Sequence, residues 1–269
     1  MRFRWNEHNA GRSAFFARLP FTHKKIAQTE LIHSRTVMSS DTAHIPYGMQ
    51  CDGIITRTPS VLPVITVADC MPIFIYEPNS ACIGVLHSGW KGTGIVLEAF
   101  EKAEKHYGAD IGNFRVILGP HIRNCCYTVD EQRARFFQTE FSPDCVIPVS
   151  ECACTENKAR DSSAESVHDT LKTGRYRLSL EQANRALLKK AGIQDEHIFS
   201  TGECTCCTKT DAGSYKYGSF RRETALLPES MSLEKKQRCF TPMAAFVGFK
   251  DDCFTCENLT EARCLYFLF

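Results

Sequence analysis

The sequence predicts an α/β fold with a mixed sheet. Three observations carry this: short apolar runs rich in β-branched residues, helical periodicities placed between them, and no internal repeat or Pro-, Gly- or Ser-rich linker to divide the chain. In chain order, GRSAFFARL shows helical spacing with Phe15, Phe16 and Leu19 apolar, and LIHSRTVM reads as a short strand with His33 inside it. Val61–Val67 is apolar and β-branched and reads as a buried strand. Pro72–Tyr76 and Cys82–Leu86 are two further strands around a Glu77-Pro-Asn-Ser80 turn. Helical periodicity runs from Ile95 to Tyr107, with Gly108 as its stop. Phe114–Leu118 is strand again, closed by Gly119-Pro120. Residues 151–174 are polar without a period and read as a surface loop or insertion. Leu178–Ala191 is an amphipathic helix carrying Leu180, Ala183, Leu187 and Leu188, capped by Gly192. Ile198-Phe199 opens a short strand, and Thr241–Phe249 is a late one.

Composition narrows the function classes. A chain of 269 residues, 43% hydrophobic and 23% charged, can bury a core without staples. A net charge of +1 gives no basic surplus for nucleic acid, so none is expected as a partner. No run of about 18 apolar residues occurs, so no membrane span is expected. MRFRWNEHNAGRS has no apolar stretch of the secretory kind, and a cytoplasmic location is expected. The 15 cysteines, an odd and large number, read as free thiols with one or two metal ligands among them. Cys82, inside ACIGVL, reads as a buried hydrophobe.

One place reads as a site. If the turn is centred near residue 79, position 87 lies opposite position 71, and Cys70 and His87 reach the same end of the sheet. Neighbouring strands lie ~4.8 Å apart, so the two side chains can converge on one ion. A slip of one residue would change the face. Glycines at 89 and 92 let the backbone approach a ligand closely. Asp69 is either an outer partner of a ligating histidine or a turn residue ending its strand. Asp52 with Gly53 is equally well a turn. His121, after Gly119-Pro120, is either an outer-sphere group or a surface turn histidine.

The segments CDGIIT (51–56), ADCMP (68–72), LHSGWKGTG (86–94), LGPHI (118–122) and SFRRE (219–223) resemble the YfiH-type laccase-domain family. That family is also called multicopper polyphenol oxidase-like, purine nucleoside phosphorylase, and in some bacterial members peptidoglycan editing factor-like. The order and spacing match from about residue 10 to residue 249. The resemblance implies a single three-layer α/β/α domain with a mixed sheet, spanning 1–249, with a Cys-rich tail at 250–269. It implies a zinc held by His33, Cys70 and His87, whose fourth position stays open as catalytic zinc requires. It implies action on purine nucleosides with phosphate: phosphorolysis of adenosine, inosine and methylthioadenosine, and deamination of adenosine. Arg12, Arg221 and Arg222 are the candidates for binding that phosphate. A monomer is expected. The sequence departs from the family in a short N-terminal segment without the Gly-rich opening, in the 151–174 insertion and in the tail.

Other readings compete. Two histidines and a cysteine also suit a copper-dependent phenol oxidase, although no His-x-His arrays are present. Cys70 with a histidine base suits a cysteine hydrolase or amidase. A thiol-rich protein can also buffer metal without turnover. Finally, Cys204 and Cys207 form a CxxC, as do Cys253 and Cys256. Together these pairs are a candidate four-cysteine zinc site, although the gap between them is longer than in zinc ribbons.

Overall fold

A computed structural model describes residues 24–41, 48–148, 176–236, 239–249 and 265–268. A six-stranded mixed sheet is built from β2 (Val37–Ser39), β3 (Gly53–Thr56), β5 (Met71–Glu77), β6 (Cys82–Ser88), β7 (Arg115–Leu118) and β11 (Ile198–Ser200), in the order β11-β7-β5-β6-β3-β2. The two outer pairs are parallel and the inner ones antiparallel. A four-stranded sheet follows the order β1 (Lys25–Gln28), β4 (Val61–Val67), β12 (Met243–Phe249), β13 (Leu265–Leu268). A small antiparallel sheet joins β8 (Thr128–Val129), β10 (Tyr176–Leu178) and β9 (Val146–Pro148).

Strand alternation explains why β5 is apolar at every position but its last. Ile73 and Ile75 face a core shared with α1 (Ile95–Tyr107) and α2 (Leu180–Lys190). Phe74 and Tyr76 face the second sheet, where Ile65, Val67, Ala245 and Val247 meet them. The central sheet is thus covered by helices on one face and by a sheet on the other. On α1, Ile95, Val96, Ala99, Phe100 and Ala103 form the buried stripe. Phe100 stacks on Phe114 with ring centroids 4.4 Å apart, and burying such a side chain contributes about 1.5–3 kcal/mol. Gly108 ends the helix in a left-handed conformation, its N–H donating back to Ala103 and Glu104 carbonyls.

Several boundaries match the sequence expectations: β4, α1 and its glycine stop coincide with them. The other helix starts at Leu180 rather than Leu178 because the Ser179 hydroxyl accepts from the Gln182 N–H and caps it. LIHSRTVM differs more. His33 lies in a bend with φ of 60°, and the strand begins only at Val37. The β5–β6 register places Pro72, not position 71, opposite His87. The turn is therefore half a residue later than centred on 79, with Glu77 opposite Cys82. GRSAFFARL and residues 151–174 lie outside the described residues.

Candidate metal centre and its surroundings

His33, Cys70 and His87 come together with their ligand atoms all within 4.8 Å of one another. Each arrives differently. His87 sits on β6 and is 3% exposed, Cys70 immediately precedes β5, and His33 is exposed on its bend. The turn after β6 closes around them. A Cβ built on Gly89 would lie 2.8 Å from the Cys70 sulfur, so only glycine leaves the thiol its place. Two histidine nitrogens and a cysteine sulfur in this cradle could hold a metal ion such as zinc or copper, with His33 on the solvent side.

The sequence reading missed the residue that organises this cluster. Asp52 is fully buried, and its carboxylate lies 2.9 Å from His87 Nδ1. The same carboxylate accepts from the backbone N–H of Ile32, His33 and Ser34 and from the Ser34 hydroxyl, at 2.7–3.3 Å. One side chain therefore orients the His87 ring, with Nδ1–H donating and Nε2 free as a ligand, and also ties down the loop that carries His33. Those bonds offset the left-handed backbone at His33, a conformation that costs about 1–3 kcal/mol in a residue with a Cβ. Burial pushes the Asp52 carboxyl up, but His87 and Ser34 donors outweigh it and hold it below the usual range. The sequence signal was the Asp of CDGIIT, which local reasoning cannot separate from a turn.

Asp69 has another task than a partner of histidine. Also left-handed, with φ of 80°, it accepts from Thr205 Oγ1 at 2.7 Å, Ser219 Oγ at 3.0 Å and the Arg221 N–H at 2.6 Å. It thereby gathers two distant segments beside Cys70. Its buried carboxyl is pushed up by desolvation despite these donors.

The electrostatics of the metal-free cluster follow from its contacts. Burial pushes the Cys70 thiol up, but the His87 charge and hydrogen bonds from His33 and His87 bring it down to about 6. Burial pushes His87 down, yet Cys70 and Asp52 raise it to about 10.

The other expected site residues divide. Arg221 is part-buried, bonds to the Thr128 carbonyl at 3.2 Å and lies over the Tyr127 ring. Tyr127 is pushed up by burial, against the charges of Arg133 and Arg221. Arg133 also stacks over Trp90, at 4.4 Å from its ring centroid. Arg222 is committed elsewhere. Its guanidinium donates to the Thr205, Cys206 and Tyr217 carbonyls and to Glu223, and stacks on Tyr215, so it has little left for a phosphate. His121 is 1% exposed, and its Nδ1 bonds to the Gly119 carbonyl. It is a buried histidine, not a surface one, and makes no hydrogen bond to the three ligands. Arg12 lies outside the described residues. So do Cys253 and Cys256; Cys204 and Cys207 instead meet Cys125 and Cys126.

Among the described residues no helix is long and apolar enough to cross a membrane. The family model described as multi-copper polyphenol oxidoreductase laccase matches residues 7–225. The purine nucleoside phosphorylase YlmD of Geobacillus stearothermophilus is 30% identical over 161 residues, 58% of this chain and 51% of that protein. The adenosine deaminase RL5, from an unknown prokaryotic organism, is 26% identical over 160 residues, 59% of this chain and 54% of that protein. This chain thus spans about half the length of these curated relatives. The crystal structure of the Bacillus licheniformis hypothetical protein YfiH superposes with a TM-score of 0.64 at 23% identity, over 89% of this chain and 79% of that one, a likeness of fold.

Proposed function

Because this chain belongs to the multi-copper polyphenol oxidoreductase laccase family, we propose that it is a zinc-dependent enzyme of purine nucleosides. Its reactions are phosphorolysis of adenosine, inosine and methylthioadenosine, and deamination of adenosine. The observation that carries this reading is the three-ligand cluster of His33, Cys70 and His87, with His33 exposed and His87 oriented by Asp52. The names of the relatives, purine nucleoside phosphorylase and adenosine deaminase, support the substrate class.

The chemistry supplied by zinc in such a site is Lewis-acid activation. The remaining work belongs to the chain. In phosphorolysis a phosphate oxygen bonds to the ribose C1′, the C1′–N9 bond breaks, and its electron pair leaves with the purine, which takes up a proton. Arg221, with Arg133 close by, holds the phosphate by charge-assisted hydrogen bonds. In deamination water adds at the purine C6 and ammonia departs. Asp52 keeps the His87 ring and the His33 loop in place throughout.

One observation favours a second reading. Asp52, His87 and Cys70 form a carboxylate–imidazole–thiolate chain, the constellation of a cysteine hydrolase. The deciding experiment measures bound metal and separates products after incubation with adenosine, with and without phosphate, beside a Cys70→Ala control. About one zinc in this site, with phosphate-dependent adenine or phosphate-independent inosine lost in the control, is expected. No turnover of any purine nucleoside by the zinc-loaded chain overturns the reading. Trapping of Cys70 as an acyl-thioester would move the assignment to the hydrolase.

A further inference from the structure

The second cluster has a different chemistry from the first. Cys125, Cys126, Cys204 and Cys207 place their sulfurs within 4.8 Å of one another. None of the four is joined in a disulfide. Cys125 Sγ lies 3.7 Å from Cys207 Sγ, far longer than the ~2.05 Å of a disulfide. Four thiolates around one zinc at ~2.3 Å form a tetrahedron whose edges are ~3.8 Å. That is the spacing found between the two sulfurs. The inorganic core of an iron–sulfur cluster would force the ligands farther apart, so a single ion fits better.

The fold delivers these sulfurs deliberately. Strands β7 and β11 run parallel as neighbours, and the segments leaving their ends stay paired through a bridge between His121 and Cys204. Each segment then turns tightly. Cys126 and Tyr127 N–H groups donate to the Arg123 carbonyl, and the Thr208 N–H donates to the Cys204 carbonyl at 3.0 Å. The Arg123 N–H points at the Cys204 sulfur at 3.4 Å, the outer hydrogen bond that a metal-bound thiolate accepts.

We propose that Cys125, Cys126, Cys204 and Cys207 form a closed tetrathiolate site for one structural zinc ion, separate from the His33, Cys70 and His87 centre. The site staples two turns together. One of them carries Thr205, which donates to the Asp69 carboxylate beside Cys70. The four-cysteine site is thus a positioning element for the neighbouring centre, and it stands whether or not purine nucleosides are the substrates.

The test uses the full chain purified under reducing conditions. The chain is expected to bind two zinc ions, and Cys70→Ala one. X-ray absorption at the zinc edge of Cys70→Ala should show a shell of sulfur alone, at about 2.3 Å. Adding Cys207→Ser should remove that second zinc. Mass-mapped alkylation of the folded wild-type chain provides a test independent of the variants. Cys207 is exposed, yet it and Cys125 should resist alkylation until a chelator is added. Three results would overturn the proposal: zinc in Cys70→Ala bound by nitrogen and oxygen, ready alkylation of Cys207 in the zinc-loaded chain, or a disulfide among the four cysteines.

Discussion

Among its described residues the chain builds two clusters of potential metal ligands by opposite means. The His33, Cys70 and His87 centre mixes nitrogen with sulfur, uses three donors and leaves one side to solvent. The four-cysteine cluster has sulfur on every side. An incomplete shell can take a substrate; a complete one can only hold the chain together. The supporting hydrogen bonds follow the same division. Asp52 gathers groups onto the open centre, whereas backbone turns suffice to shape the closed one.

The largest effects separate the two clusters. Cys70→Ala should abolish nucleoside turnover while leaving the unfolding temperature nearly unchanged, measured by product chromatography and thermal melts. Cys207→Ser should do the reverse in emphasis: a melting temperature lower by more than ~4 °C, the shift that ~1–2 kcal/mol gives a chain of this size, with turnover reduced but detectable. A melting point unmoved by Cys207→Ser would erase the distinction. Next comes Asp52→Asn, which leaves the ligands in place but removes the charge that orients them. Zinc affinity at the open centre should fall about 10–100-fold, read by competition with a chromophoric chelator. Retention of wild-type affinity would show that the His33 loop and the His87 ring hold their places unaided. A smaller effect is expected for Arg221→Ala. The KM for phosphate should rise about tenfold, the value of one charge-assisted hydrogen bond near 1.5 kcal/mol, while Arg222→Lys changes stability more than phosphate KM. The opposite ranking would place the phosphate elsewhere.

What the sequence made legible follows from range. Val61–Val67 and Ile95–Tyr107 came out with their observed bounds because apolar β-branched runs and helical stripes are written locally. The cluster of Cys70 and His87 was legible from hairpin geometry, although the register was one residue off. His33 was different. Its segment looks like a strand, but its N–H donates to the Asp52 carboxylate, 19 positions away, in a left-handed bend. Its place among the ligands came from the family resemblance. Asp52 itself was hidden because Asp-Gly looks like a turn. The CxxC at 204–207 was visible, but its partners lie 82 positions away on a neighbouring strand exit, as the Cys125–Cys207 pair shows. No spacing rule reaches that far. Arg222 failed as a phosphate ligand for the same reason: its carbonyl partners are set by tertiary folding.

The unequal anchoring of the three ligands has a kinetic consequence. Cys70 and His87 stand at the junction of two paired strands, whereas His33 rides on an exposed bend fixed by Asp52. An ion held by these three residues would be gripped least firmly by His33, and its loss to a chelator would be fastest where that loop moves.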